Sequence, residues 1–76
     1  MSRPFKELLD DFQQDPTPWE VVQSDVQPST NTRNRGGSSI EDLLRHMTTG
    51  EEMVRHTVLK PNGTIFRAPH FRPKTP

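Results

Sequence analysis

Residues 55–72 read RHTVLKPNGTIFRAPHFR, and a Pro-Asn-Gly triplet at 61–63 lies near their centre. The segments on either side are rich in β-branched and aromatic residues, which favour strands. Proline is preferred at the second position of a type I turn, and glycine readily takes the positive φ of the bulge that follows. We therefore predict a C-terminal β-hairpin whose strands span residues 53–60 and 64–71.

The position of the turn also predicts which residues of the hairpin face each other. In a register centred on the turn, the cross-strand pairs are Lys60 with Thr64, Val58 with Phe66, His56 with Ala68, and Val54 with His70. Side chains alternate between the two faces of a strand, so this register places His56 and His70 on one face. Pro69 has no N–H to donate, which predicts that residues 64–71 form an edge strand or end there.

The N-terminal part of the chain predicts a short helix followed by a strand. Within residues 1–15, apolar residues recur at the i, i+3, i+4 and i+7 positions of one amphipathic helix face: Phe5, Leu8, Leu9 and Phe12. Two prolines end this helix, because the residue before each proline is pushed out of the helical region. Residues 19–27 begin with Trp19 and contain three valines, a composition typical of a strand. Residues 19–26 could add a third strand to the hairpin.

The middle of the chain predicts a flexible linker and then a second helix. Residues 28–37 offer no large apolar side chain to bury, which is typical of a linker. A capping-box pattern of Ser and Glu follows, with apolar residues at helical spacing: Ile40, Leu43, Leu44 and Met47. We therefore predict a helix over residues 38–47. In the competing interpretation, residues 48–51 form a hairpin turn between two strands, but the alternation of apolar and polar residues before them is poor.

Together these elements predict a small single-domain α+β fold. It has two short amphipathic helices and a C-terminal β-hairpin, and residues 38–72 form its core of helix plus hairpin. A tail at residues 73–76 is expected to be disordered. The chain has 76 residues and only 28% are apolar, so the first helix must dock on the rest of the chain or on a partner.

Composition excludes several kinds of chemistry. The chain has no cysteine, which removes disulfides, thiolate nucleophiles and thiolate-based metal sites. It contains no apolar run of the ~18 residues needed to cross a membrane, and no apolar signal-peptide core at its start. Its histidines, His46, His56 and His70, lack the spacing of known metal motifs. We expect a cytoplasmic protein with no metal, no cofactor and no membrane association.

The net charge of zero conceals an uneven distribution. Residues 1–30 carry two basic and six acidic residues, a net charge of −4. Residues 31–76 carry eight basic and four acidic residues, a net charge of +4. The acidic N-terminal part and the basic C-terminal part can attract each other or face different partners.

A chain with so little core is expected to act through its surface. We predict a small non-enzymatic protein that binds another macromolecule as an inhibitor or adaptor, in the manner of small phage and accessory proteins. A protein partner is the first expectation, nucleic acid the second, and a further copy of the chain the third. The apolar face of the first helix and the basic hairpin would make the contacts. The predicted contact residues are Phe5, Leu8, Leu9, Phe12, Trp19, Arg33, Arg35, Arg55, Arg67, Phe71 and Arg72.

An alternative function follows from the Arg-Gly-Gly triplet at residues 35–37. Flexible Arg–Gly segments bind RNA through phosphate contacts and guanidinium stacking. Arg33 and Arg35, together with the basic hairpin, therefore indicate an accessory protein that binds RNA or DNA.

A further alternative is a metal-independent ribonuclease. His56 and His70 could act as its general base and acid, with Lys60 and Arg67 stabilising the charge of a phosphorane. The ending RHTVLKPNG…HFRP resembles the C-terminal hairpins of bacterial polymorphic-toxin domains over about a quarter of the chain. No motif within it assigns a role to a particular residue. The resemblance implies the same nuclease alternative.

Overall fold

The computed structural model describes residues 3–74, which form one helix and a four-stranded antiparallel sheet. The elements in chain order are α1 (Phe5–Gln14), β1 (Trp19–Pro28), a 3₁₀ turn (Thr32–Asn34), β2 (Ser38–His46), β3 (Glu52–Leu59) and β4 (Ile65–Pro73). The strands lie in the order β1-β2-β3-β4, so each pairs with its neighbour in sequence. The fold is mostly β with one helix.

The prediction of two helices and a hairpin is wrong, because residues 38–46 form a strand. β2 pairs antiparallel with β1 on one side and with β3 on the other. The apolar spacing within 38–47 fits one helix face, but pairing with a strand on each side outweighs this local preference. The competing interpretation, a turn at residues 48–51 between two strands, describes this region: β2 ends at His46 and β3 begins at Glu52.

The hydrophobic core lies between α1 and one end of the sheet. It consists of the buried side chains of Leu8, Trp19, Leu44 and Met53, with Phe5, Phe12 and Phe71 packed against it. The Phe12 ring lies 6.1 Å from that of Trp19 and 5.4 Å from that of Phe71, measured between centroids. A ten-residue helix is marginal on its own. This docking is therefore what stabilises α1.

A polar row crosses the sheet beyond the core. Ser24 Oγ donates to Asp42 Oδ1 at 2.7 Å, and the Arg55 guanidinium donates to Asp42 Oδ2 at 3.0 and 3.2 Å. On the same face beyond this row, α1 does not cover the sheet, and Val26 and Ile65 are 60% and 55% exposed. The core thus occupies only one end of the molecule.

The predicted register of the C-terminal hairpin is confirmed beside the turn, where Lys60 pairs with Thr64. It is wrong farther from the turn, where the other three predicted pairs are displaced. The structure pairs His56 with His70, Val54 with Arg72, and Val58 with Arg67. Register shifts on both sides of Val58 place two additional residues in β4. A shift of two leaves each side chain on its face, so His56 and His70 remain on the same face and become direct partners. β4 is an edge strand, where Pro69 is tolerated.

The predicted turn at residues 61–63 is confirmed. Lys60 O accepts from Gly63 N at 2.9 Å, and Lys60 N donates to Thr64 O at 2.7 Å. Gly63 has a φ of 86°, a left-handed value that favours glycine. Asn62 Oδ1 accepts from Thr64 N at 3.0 Å, which closes the turn further.

β4 extends into the predicted tail. Of the predicted disordered tail, Pro73 ends β4 and Lys74 forms an ion pair with Glu52, while residues 75–76 lie outside the described residues. Between residues 3 and 74, the structure contains no helix of the length and apolarity required to cross a membrane.

Candidate nucleic-acid interface

The loop between β1 and β2 is fixed to the end of β3 by a buried asparagine. Asn34 is 3% exposed, and its Nδ2 donates to Leu59 O at 2.8 Å. A Cβ added to Gly37 would lie 2.2 Å from Asn34 Nδ2 and 2.3 Å from Leu59 O, so this position requires glycine. The loop predicted as a flexible linker therefore contains an ordered anchor point.

Three exposed cations surround this anchor point: Arg33, Arg35 and Lys60. They line a hollow of about 440 Å³ together with Asn34, Pro61, Asn62 and Phe66. Within residues 3–74, none of the three forms an ion pair with an acidic side chain. The adjoining segments, residues 28–38 and 59–67, contain no Asp or Glu at all. The hollow is thus a positively charged surface, and no acidic side chain of residues 3–74 neutralises its cations.

An aromatic ring and a fourth cation extend this surface along β4. The Arg67 guanidinium carbon lies 5.8 Å from the centroid of the Phe66 ring, within cation–π distance. Phe66 is half-buried and lines the hollow. We refer to the surface formed by Arg33, Arg35, Lys60, Phe66 and Arg67 as the basic end.

A second hollow lies on the sheet face opposite α1. It has a volume of about 390 Å³ and is lined by His56, Val58, Arg67, Ala68, Pro69 and His70. We refer to it as the histidine hollow. Ser39 Oγ forms a hydrogen bond with Nε2 of His56. The structure thus brings together three of the four residues predicted for a ribonuclease site, His56, His70 and Arg67, while Lys60 lines the neighbouring hollow.

Other predicted contact residues are held by acidic partners. Arg55 is paired with Asp42 at 3.0 Å within the polar row. Arg72 is paired with Glu41 at 2.7 Å on the sheet face of the histidine hollow. These two cations are less available to an external partner than those of the basic end.

The helix face predicted to bind a protein partner lies mostly against the chain's own sheet. Leu8 and Trp19 belong to the core, and Phe5, Phe12 and Phe71 pack against it. Leu9 is half-buried and lines a surface hollow with polar and charged neighbours on α1. A binding role for these residues stays a prediction, and the structure shows that most of them have a packing role.

The opposite end of the sheet carries a compact ion-pair network. Arg3 Nε donates to Glu51 Oε1 at 3.0 Å and Arg3 Nη2 donates to Asp11 Oδ2 at 3.0 Å. The Arg3 side chain, followed by the Arg3 backbone N–H, lowers the pKa of Glu51 to about 2. The ammonium of Lys74 and the guanidinium of Arg45 lower the pKa of Glu52. In contrast to the basic end, the charges here are neutralised within the chain.

His46 belongs to this packed end. It is 8% exposed, and its ring centroid lies 5.2 Å from that of Trp19. Its Nδ1 accepts from the backbone N–H groups of Thr48 and Thr49, both at 3.2 Å, while Nε2 lies 3.5 Å from Asp11 Oδ2. The ring therefore closes the turn between β2 and β3 and stands apart from the other two histidines.

The arrangement suits anion binding more directly than metal chemistry. Across residues 3–74, no three His, Asp or Glu side chains are grouped so that they could hold a metal ion. Comparisons of the chain with protein-family models, with curated proteins and with solved structures find no match. The site must accordingly be interpreted from its own residues.

Sequence reasoning found the arginines of this site but not the residues that hold them in place. Asn34 and Gly37 were assigned to a flexible linker, because a polar residue between two arginines gives no periodic signal of burial. Sequence reasoning places Phe66 only in a hairpin strand, because the apolar pattern does not show which end of the sheet α1 covers. The sequence feature that could have indicated this site is the absence of acidic residues from segments 28–38 and 59–67.

Proposed function

We propose that this protein binds single-stranded nucleic acid through the basic end. The observation that carries the proposal is a fixed loop and a tight turn that together present cations beside an aromatic ring, with no acidic partner among residues 3–74. Phosphates are bound chiefly by Lys and Arg side chains. Arg33, Arg35, Lys60 and Arg67 give segments 28–38 and 59–67 a net charge of +4.

The ring of Phe66 favours a single strand over a duplex. Proteins that bind single strands combine a positively charged groove with aromatic rings on which unpaired bases stack. In a duplex, the faces of the bases are covered by their neighbours. The hollow of about 440 Å³ beside Phe66 is within the usual size range of sites for small ligands. It could therefore receive one unstacked base while the cations contact the flanking phosphates.

The rigid anchor of the loop supports the same proposal. Because Asn34 fixes the loop to β3, Arg33 and Arg35 lose less backbone freedom on binding than they would in a disordered segment. This distinguishes the site from a single flexible Arg-Gly-Gly triplet. An inhibitor or adaptor role that uses the face of α1 would require the helix to leave the core, which makes it the weaker alternative.

The proposal is tested by fluorescence anisotropy with a labelled single-stranded oligonucleotide at several salt concentrations. Four phosphate contacts on a single strand predict that log K falls with log salt with a slope of about −3. The double variant Arg33→Ala/Arg35→Ala should reduce this slope to about −1.5 and weaken binding.

The matched control is Lys6→Ala/Arg45→Ala, which removes the same charge from the opposite end of the sheet. Its affinity and salt slope should equal those of the wild-type chain. Equal weakening by both double variants would show general charge attraction, and a flat salt response of the wild type would refute the proposal.

A further inference from the structure

We propose that the histidine hollow cleaves RNA by transesterification, with the 2′-hydroxyl of the bound strand as the nucleophile. This inference rests on nucleic-acid binding at the basic end. It concerns a second set of side chains that shares only Arg67 with the basic end, and it adds a catalytic activity to a binding surface. His56 and His70 are the proposed catalytic residues, Arg67 stabilises charge, and Ser39 is a positioning residue.

The register of β3 and β4 brings the two histidines together. His56 and His70 are direct partners in the antiparallel ladder, and Cα atoms of such partners lie about 4.5–5.5 Å apart. Their side chains share the sheet face that α1 leaves open, where both line one hollow of about 390 Å³. Two imidazoles at one solvent-accessible hollow are the minimum set for concerted acid–base catalysis near neutral pH.

The hydrogen bond to Ser39 distinguishes the two rings. When Nε2–H of His56 donates to Ser39 Oγ, Nδ1 keeps its lone pair and can accept a proton. The ring of His70 makes no hydrogen bond with another group of residues 3–74, and it belongs to an exposed residue. We therefore assign His56 as general base and His70 as general acid.

The charged groups around the histidines leave one cation free for the substrate. On β2, Glu41 lies opposite His56 in the ladder, and its carboxylate is paired with Arg72 of β4. On β1, Asp25 lies opposite Glu41, one strand farther from the hollow. Arg67 has no acidic partner among the residues that the structure describes, and it lines the hollow. It can therefore stabilise the negative charge of a phosphorane.

The two hollows are lined by consecutive residues of β4. Phe66 lines the hollow of the basic end and Arg67, the next residue, lines the histidine hollow. A strand whose base stacks on Phe66 would place a neighbouring phosphate close to Arg67. Binding energy from the basic end can thus position the scissile phosphate, which is the usual contribution of groups remote from the chemistry.

The proposed step needs no reagent beyond the strand itself. His56 Nδ1 accepts the proton of the 2′-hydroxyl while the 2′-oxygen forms a bond to phosphorus. The bond between phosphorus and the 5′-oxygen breaks, and this oxygen receives a proton from the His70 imidazolium. The products are a 2′,3′-cyclic phosphate and a free 5′-hydroxyl. DNA lacks the 2′-hydroxyl and would be bound without being cleaved.

The test incubates the full chain with a labelled RNA, with the DNA of the same sequence, and with that DNA carrying one ribonucleotide, all in the presence of EDTA. We expect cleavage of the RNA, cleavage of the mixed strand only after its ribonucleotide, and an intact DNA. The rate should follow a bell-shaped pH profile, because the step needs one histidine as base and the other as acid.

Variants purified in the same way exclude a contaminating nuclease. His56→Gln and His70→Gln should each lower the rate by about 10²–10⁴-fold, with circular dichroism and oligonucleotide affinity unchanged. Ser39→Ala should shift the His56 limb of the pH profile and lower kcat more than it raises KM. Lys6→Gln, at the other end of the sheet, should retain the full rate.

The outcomes separate this inference from the binding proposal. RNA that is bound and remains intact would overturn the inference and leave the binding proposal standing. Cleavage that survives both histidine variants would also overturn it, as would its loss in EDTA. Cleavage that depends on both histidines, but is unaffected by Arg33→Ala/Arg35→Ala, would support the histidine hollow and refute the basic end.

Discussion

The two ends of the sheet are built on opposite principles. The helix end, residues 3–20, 45–52 and 71–74, carries seven acidic and five basic residues over a packed core. The basic end carries four cations and no acidic residue in its adjoining segments, and no helix of residues 3–74 covers it. At the helix end, ion pairs and packing both stabilise the fold. At the basic end, clustered like charges oppose compactness.

This difference indicates where to look for function. Fold stability explains why Trp19, Leu44 and Met53 are apolar, and no external partner is needed to account for them. It does not explain why Arg33, Arg35, Lys60 and Arg67 gather at one end without acidic residues. A feature that disfavours the folded state is better explained by a ligand that neutralises it.

The largest effect is expected for Trp19→Ala. The substitution removes a side chain that is 6% exposed and in contact with Phe12 and His46, so it should lower the free energy of unfolding by about 3–5 kcal/mol. Urea unfolding followed by circular dichroism measures this loss. At the basic end, Phe66→Leu should cost less than about 1 kcal/mol but weaken oligonucleotide binding. Equal stability losses in the two variants would contradict the division between the ends.

Sequence patterns predicted the elements that depend on neighbouring residues and missed those that depend on residues far apart in the chain. The turn at residues 61–63 and the helix-like spacing of Phe5 to Phe12 arise from neighbours in sequence, and the structure contains both elements. β2 was misassigned because its apolar spacing fits a helix, and only pairing with β1 and β3 decides for a strand. The cross-strand pairing of His56 with His70 depends on irregularities in β4 that no sequence pattern reveals.

The candidate site was predictable to a similar extent. The cations of the basic end were visible in the sequence as charges, whereas their convergence depends on Asn34 reaching Leu59, 25 positions away. A hydrogen bond over such a separation has no local signature. The positions of Arg33 and Arg35 relative to Lys60 therefore required the structure.

An intermediate effect is expected for Gly37→Ala, with Gly50→Ala as the matched control. The new Cβ at Gly37 would collide with Asn34 and Leu59, at a cost of about 1–3 kcal/mol. At Gly50 nothing lies within 4 Å, and the φ of 78° is the only source of strain, about 1 kcal/mol. Both variants should be less stable, but only Gly37→Ala should displace the loop and weaken oligonucleotide binding. Equal affinities would show that the loop anchor does not organise the site.

The smallest effect concerns the acid stability of the helix end. The Arg3 side chain holds the pKa of Glu51 at about 2 in the folded chain, below its ordinary value of 4.5. A lowered pKa stabilises the fold above the unfolded value, so this contribution is complete above about pH 4.5 and is lost as the pH falls towards 2. Glu51→Gln should cost about 1–2 kcal/mol at neutral pH and flatten the decline in stability between these two pH values. Urea midpoints measured across this range test the prediction, and a decline equally steep in the variant would contradict it.

Because Glu51 lies at the helix end, the same substitution should leave oligonucleotide affinity unchanged. It is therefore the converse of Gly37→Ala, since it changes stability at the helix end without changing binding at the basic end.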